Sequence, residues 1–246
     1  MRPDKLRACL RLLAVQGSWN YERMVGLGLA FAMEPLLRNL SGGAENPRYR
    51  EALAGAAKFF NTHPYFAGLA AGALAREEHL GSPREQVERL RTALVGPLGS
   101  VGDRLFWAGW LPLCSALGIA GAALISPVAG IVLLLALYNV LHLSVRYWAL
   151  EVGWRMGAGV AAALGSALFR RWSEVVAAAA AGAAGFMLPV AAAWLTAQLP
   201  EGSRAGVVLV WLACAVVARW LLPSAGATRV GMATVGVATL VALLWR

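Results

Sequence analysis

Asn61, Thr62 and His63 stand together in the stretch FFNTHPYFAG, between two phenylalanines and a Tyr-Phe-Ala-Gly run, with Pro64 directly after them. An amide, a hydroxyl and an imidazole supply several hydrogen-bond donors and acceptors in three residues. Pro64 disfavours helical geometry at His63. A helix running through Phe60 is therefore expected to end here and to leave its last carbonyls unpaired. Unpaired polar groups in apolar surroundings cost roughly several kcal/mol, so these must meet each other, a partner subunit or a hydroxylated ligand. Asn suits a sugar, because its amide donates to one hydroxyl and accepts from the next, and neighbouring aromatic rings can cover the C–H face of a pyranose. The other reading is that Asn61 and Thr62 cap adjacent helix ends. Spacing alone leaves both open.

Two carboxylates pose the same question. Asp103 closes the glycine-rich GPLGSVGD just before an apolar run that begins at Leu105. It can cap the start of that run or bind a ligand, and the two roles are compatible. Glu34 precedes Pro35 in an apolar setting, where a carboxylate is a functional candidate. Its alternative is a salt bridge with Arg23 or Arg38. Gln16, Asn20 and Arg23 share one face if QGSWNYER is helical, which marks them as candidates for contact with another subunit. Signatures of catalysis are missing: there is no G-x-x-x-x-G-K-[ST], G-x-S-x-G or H-E-x-x-H. His63 could take a phosphoryl group, but a lone histidine before proline reads as a hydrogen-bonding residue. No catalytic residue, metal site or cofactor is expected, and Cys9, Cys114 and Cys214 lack metal-ligand spacing.

The elements that must position these groups are apolar. Of 246 residues, 59% are hydrophobic and 14% charged, with a mean hydropathy of +0.61. Soluble domains are about half apolar and about a quarter charged, so an integral membrane protein is expected. Of 13 acidic residues only Glu151, Glu174 and Glu201 follow Asp103. The net charge of +9 comes from dispersed basic residues that flank apolar spans. This is the positive-inside pattern, not a nucleic-acid footprint. No cleavable leader is read at the N-terminus.

Leu6, Cys9, Leu10 and Leu13 at helical spacing, with Arg7 and Arg11 on the other side, predict an amphipathic helix. It would lie on a membrane surface or form part of a soluble core. Residues 48–60 read as a helix, and Ser82-Pro83 opens another. Short apolar pieces broken by Gly and Pro near residues 24–37, 59–76 and 92–103 are expected to be re-entrant, because irregular backbone at membrane depth must be buried in protein or line a wet cavity. Residues 105–125, 127–150, 175–199, 205–222 and 230–245 read as spans. The expected fold is thus an all-α integral membrane protein with about five C-terminal transmembrane helices behind N-terminal interfacial and re-entrant helices. The domain boundary is expected at 104/105. Lys and Arg placement puts the N-terminal half in the cytoplasm. Gly68/Gly72 and Gly153/Gly157 have G-x-x-x-G spacing, which reads as close helix contact or as chance in a chain with 27 glycines.

QGSWNYERMVGLGLAFAMEP (16–35), FFNTHPY (59–65) and VGPLGSVGDRLFW (95–107), in that order, resemble the IID membrane subunit of mannose-type sugar phosphotransferase systems. The resemblance is strong through about residue 150. It implies a protein of the bacterial cytoplasmic membrane that pairs with a IIC subunit, as an oligomer of IIC–IID pairs, to bind and translocate a hexose-type sugar by an elevator-like shift. Cytoplasmic IIA and IIB phosphocarriers relay phosphate from phosphoenolpyruvate, and the sugar is phosphorylated on delivery. The IID chain would then be no catalyst by itself. The resemblance places Asn61 and Thr62, with the Asp103 region, at a sugar site shared with IIC. This chain departs from the family in having Arg104 rather than Pro after Asp103, and in a shorter polar insertion after the second late span. Arg104 is the feature that favours the alternative, a scaffold or regulatory subunit that no longer transports.

Overall fold

The protein is described from a computed structural model, which covers residues 3–164 except 39 and 41–44, residues 171–183 except 173, and isolated positions beyond. The chain falls into two units, Met1–Ala184 and Gly185–Arg246, and the elements below all belong to the first. They are helical: α1 (Pro3–Leu12), α2 (Gly26–Leu37), α3 (Pro47–Ala56), α4 (Ala67–His79), α5 (Arg84–Gly102), a π-helical segment (Asp103–Trp110), α6 (Leu111–Leu124), α7 (Pro127–Met156), a 3₁₀ turn (Gly157–Gly159) and α8 (Val160–Leu164). Glu174–Ala183 forms a ninth helix, α9.

Two of these are long and apolar enough to cross a bilayer: Arg84–Leu124, which joins α5, the π segment and α6, and Pro127–Leu164. They contain the first two of the five expected spans. Of the third, residues 175–183 lie in α9. The rest of it and the two C-terminal spans fall outside the described residues or on isolated described positions. The expected domain boundary at 104/105 falls within the continuous helix 84–124.

Local chemistry explains the helix ends. Asn46 caps α3, its side-chain oxygen accepting from the Arg48 N–H at 2.8 Å, and Pro47 supplies a first-turn proline. Ser126 caps α7 by accepting from the Ala129 N–H at 3.2 Å. α7 then runs 30 residues to Gly157, about 45 Å at helical rise, enough to exceed a hydrocarbon core of about 30 Å. Gly157 stops it at φ 54°, a left-handed conformation that glycine adopts without strain. Hardly any of the most apolar stretch of α7 is buried within the protein, and Val128, Ile131, Val132, Leu135, Val140 and Leu143 point outward. An apolar face left open in this way fits lipid.

α1 turns Ala8 and Leu12 into the core and leaves Leu6 and Leu10 exposed; just after it Leu13 is exposed and Val15 buried. The apolar stripe read from the sequence is therefore the outward face, as an interfacial helix requires. α4 crosses α7 through glycines. A Cβ on Gly68 would stand 2.8 Å from the Leu150 nitrogen, one on Gly72 2.9 Å from the Gly153 carbonyl carbon, and one on Gly153 2.9 Å from the Leu69 Cα. Close helix contact is thus the working role of Gly68, Gly72 and Gly153.

The glycine-rich stretch before Asp103 is not broken. Residues 84–102 stay helical although Pro97 lies inside. Leu94, Leu98, Gly99 and Gly102 bury one face of α5, and Gly102 is where that face meets the 59–66 segment. A Cβ there would run into the Cβ of His63. The glycines serve close approach, not chain reversal. Beyond them the backbone ladder lengthens: the Leu111 N–H reaches back five residues to the Phe106 carbonyl, just before Pro112, which has no N–H to donate.

Candidate functional site

Two segments far apart in sequence, residues 23–25 and α5, converge on the 59–66 turn. The Val25 N–H donates to the Phe60 carbonyl at 3.1 Å and the Phe60 N–H donates to the Arg23 carbonyl at 3.2 Å, which forms the parallel Met24–Phe60 bridge. The His63 N–H donates to the Leu98 carbonyl of α5 at 3.4 Å. Arg91, held by the Glu88 carboxylate at 2.8–3.1 Å, donates from its guanidinium to the Phe59 carbonyl at 2.5 Å. The turn is therefore tied on both sides by backbone and charge-assisted bonds, which fixes side chains more firmly than a free loop can.

Within the turn the three polar residues differ. Asn61 is exposed, its amide against Gly99 of α5. Thr62 is buried, and its hydroxyl donates to the His63 carbonyl at 3.1 Å. That bond lies within the turn, and the first turn of α4 has no side-chain cap, so neither Thr62 nor Asn61 caps it. His63 is 1% exposed. Its ring stacks on Phe106 at 4.7 Å and lies 4.7 Å from Tyr65 and 5.2 Å from Trp107. The Tyr65 N–H donates to its Nδ1 at 3.3 Å, which assigns the ring proton to Nε2. That Nε2 is buried without a partner among the described residues. Burial, with the charge of Arg146 and then His142, pushes the His63 pKa down to about 3.

Along the outward face of α5 and the π segment, Ser100, Asp103, Arg104 and Trp107 are exposed. With Asn61 lying against Gly99, they make an open polar shelf that carries the Trp107 ring, 44% exposed, while Phe59, two residues before Asn61, is 44% exposed as well. Asp103 sits inside the long helix rather than at the start of one, so the expected cap is replaced by an open carboxylate. It forms no ion pair with Arg104 among the described residues.

Glu34 does not share that shelf's bonding. Its carboxylate takes Arg11 at 2.6 Å, Arg38, and the Tyr49 hydroxyl at 3.2 Å, joining α1, α2 and α3. Burial would raise its pKa, but those three partners bring it below the usual carboxylate value. The salt-bridge reading holds for Arg38, while Arg23 is replaced by Arg11. Residues 13–25 are not helical, so Gln16, Asn20 and Arg23 do not share a helical face. The Asn20 side-chain oxygen accepts from the N–H groups of Glu22 at 3.1 Å and Arg23 at 2.9 Å, closing its own loop, while Gln16 and Arg23 are exposed.

Sequence reasoning missed a buried polar seam behind the turn. Arg146 of α7 is 5% exposed. It donates to the Leu12 carbonyl at the end of α1 and to His142 Nε2 at 2.7 Å, and lies 5.0 Å over the Tyr65 ring. Tyr65 stacks on His142 at 4.5 Å and hydrogen-bonds the Tyr138 hydroxyl. The spacing Tyr138, His142, Arg146, four residues apart, was the available signal.

The chain matches the family described as PTS system mannose/fructose/sorbose family IID component over residues 2–200. It is 34% identical to the PTS system mannose-specific EIID component of Escherichia coli K12 over 67% of this chain and 59% of that one, and 34% identical to the Fructose permease IID component of Bacillus subtilis over 57% and 52%. It thus spans less than two thirds of the length of these relatives. Among solved structures it resembles a chain of the mannose transporter ManYZ in complex with microcin E492, with a TM-score of 0.59 and 29% identity over 76% of this chain and 69% of that one. Another membrane protein gives a TM-score of 0.68 and 30% identity over 76% and 70%. With this match running through all three segments that meet at the 59–66 turn, the chain belongs to the IID components of the mannose/fructose/sorbose family of phosphotransferase systems.

Proposed function

We propose that this chain is the IID subunit of a mannose-type permease of the bacterial cytoplasmic membrane. It pairs with a IIC subunit to bind a hexose-type sugar and pass it inward to the IIB phosphocarrier, itself recharged by IIA. The observation that carries this reading is the shelf. An exposed amide, Asn61, is fixed by four tethers against a helix face that presents Ser100, Asp103 and the exposed Trp107 ring, with exposed Phe59 two residues before it. Amide and carboxylate groups beside aromatic faces are the chemistry of sugar binding. Because the shelf is open, the IIC subunit supplies its other wall, and IIC–IID pairs assemble into an oligomer. Thr62 and His63 support the shelf from behind. Arg23, exposed beside the same turn, and Gln16, also exposed, remain subunit-contact candidates. Glu34 holds α1, α2 and α3 together. Five C-terminal crossings, with the N-terminal half at the cytoplasmic side, complete the topology.

The test is binding of radiolabelled mannose, glucose, fructose and N-acetylglucosamine to the co-purified IIC–IID complex, wild type against Asn61→Ala. Loss of a charge-free hydrogen-bonding pair is expected to weaken binding by about 10-fold or more while the complex stays intact. A folded complex that binds none of the four sugars would turn the reading to the non-transporting scaffold.

A further inference from the structure

Arg146 is a buried cation that pairs with no carboxylate among the described residues. A lone buried charge is costly unless dipoles and π faces replace water. Here they do. The Leu12 carbonyl belongs to the last residue of α1, the negative end of that helix's dipole. The Tyr65 ring offers its π face. His142 offers the Nε2 lone pair, which assigns its proton to Nδ1, a second buried N–H without a partner among the described residues. Such an arrangement gives the guanidinium one geometry, and through Tyr65 it reaches the edge of the His63 ring, 4.7 Å from Tyr65.

We propose that Arg146 is a positioning residue that locks Tyr65 and His142 and keeps His63 an uncharged Nε2–H donor behind Asn61. A protonated His63 would need a second acceptor at Nδ1, where the Tyr65 N–H already points, and would break the tether at the turn. The groups that face His63 are few. From α7 come Arg146, His142 and Tyr138, and from its own segment Tyr65. From the π segment come Phe106 and Trp107, which do not titrate, while Asp103 is exposed. Cys9 of α1 lies in the field of Arg146. Among the described residues none of these buried groups brings a negative charge at neutral pH to stabilise an imidazolium there. The consequence for ligand is that sugar affinity stays flat where an ordinary histidine would titrate. That consequence rests on the sugar-binding reading; the charge state itself does not.

The experiment is nitrogen-15 NMR of histidine-labelled IIC–IID complex, in which this chain has three histidines, assigned with His79→Gln and His142→Gln, between about pH 5 and about pH 8, with the titration continued down to about pH 2.5 so that the midpoints are reached. Wild type is expected to show His63 as the neutral Nε2–H tautomer between about pH 5 and about pH 8. Arg146→Gln should raise its titration midpoint by about one pH unit, and Arg146→Lys, which keeps the charge, should leave the midpoint near that of wild type. A structural role alone would not separate Gln from Lys. A wild-type His63 that is an imidazolium or an Nδ1–H tautomer at about pH 6 overturns the proposal without any variant, so misfolding of Arg146→Gln cannot shield it. An unchanged midpoint in a folded Arg146→Gln complex overturns it as well. In parallel, sugar binding by wild type should vary less than about twofold between about pH 5 and about pH 8. Absence of all sugar binding with the NMR result intact would sink the permease reading and leave the role of Arg146 standing.

Discussion

At the residue scale, the site is a set of side chains whose freedom has been removed. Gly102 shows how. Alanine there would place a methyl group against the His63 Cβ, so Gly102→Ala is expected to destabilise by about 1–3 kcal/mol through overpacking, outweighing a helix-propensity gain of about 1 kcal/mol; thermal unfolding in detergent measures it. His63 also sets a pH dependence. Its folded pKa lies near 3, below the unfolded value, so the unfolded chain binds the proton first. Stability is then full above about pH 6.5 and falls as pH drops toward about 3. Glu34, depressed by Arg11, Arg38 and Tyr49, adds a loss in the same direction at lower pH. Acid denaturation followed in His63→Gln should show a shallower decline over the upper part of that window. The types of these residues were legible: Asn61, Thr62, His63 and Asp103 stand out against an apolar background. Their differing fates were not, because burial is decided by α5 and the π segment, whose contact with the turn leaves no periodicity near residue 61.

At the element scale, the helices are joined by charge on the polar side and by glycine on the apolar side. Glu78, 3% exposed, takes Arg48 at 2.9 Å and Arg84 at 2.5 Å. Its neighbour Glu77 accepts from the Ser82 hydroxyl at 2.6 Å and from the Ala158 N–H at 3.1 Å. The carboxylates thus tie α3, α4, α5 and the 3₁₀ turn that follows α7. Glu78→Gln leaves two arginines that can still reach water, so a loss of about 1–2 kcal/mol is expected, read from the shift in chemical unfolding. Helix existence was largely legible, from the amphipathic α1 to Pro127 opening α7. The stretch 95–103 was misread as broken because glycine and proline weigh equally as breakers and as contact residues in a sequence. Only the partner, here His63 against Gly102, separates the two.

For the whole molecule, the main asymmetry is between a well-packed N-terminal region and a membrane helix that is open along its apolar length. Val132 is 59% exposed on α7. Val132→Arg should cost about 2.5–3.5 kcal/mol of insertion free energy and lower the fraction of chain resisting alkaline extraction from membranes, whereas the same change at exposed Thr92 of α5 should not. Membrane character was legible from composition alone; the convergence of residues 24–25, 60, 63 and 98 was not, because bonds across such sequence distances follow from tertiary packing. The π-helical segment joins α5 to α6. It carries surplus backbone between the polar shelf and α6, and each helical residue turns the chain by about 100°. Deleting one residue between 103 and 110 would leave α5 and α6 their length, yet swing the exposed side of α6, with Leu117, Ile119 and Leu124, by that angle relative to Ser100 and Asn61. The segment therefore sets the phase between a ligand face and a lipid face, and the two cannot both be right with the wrong number of residues between them.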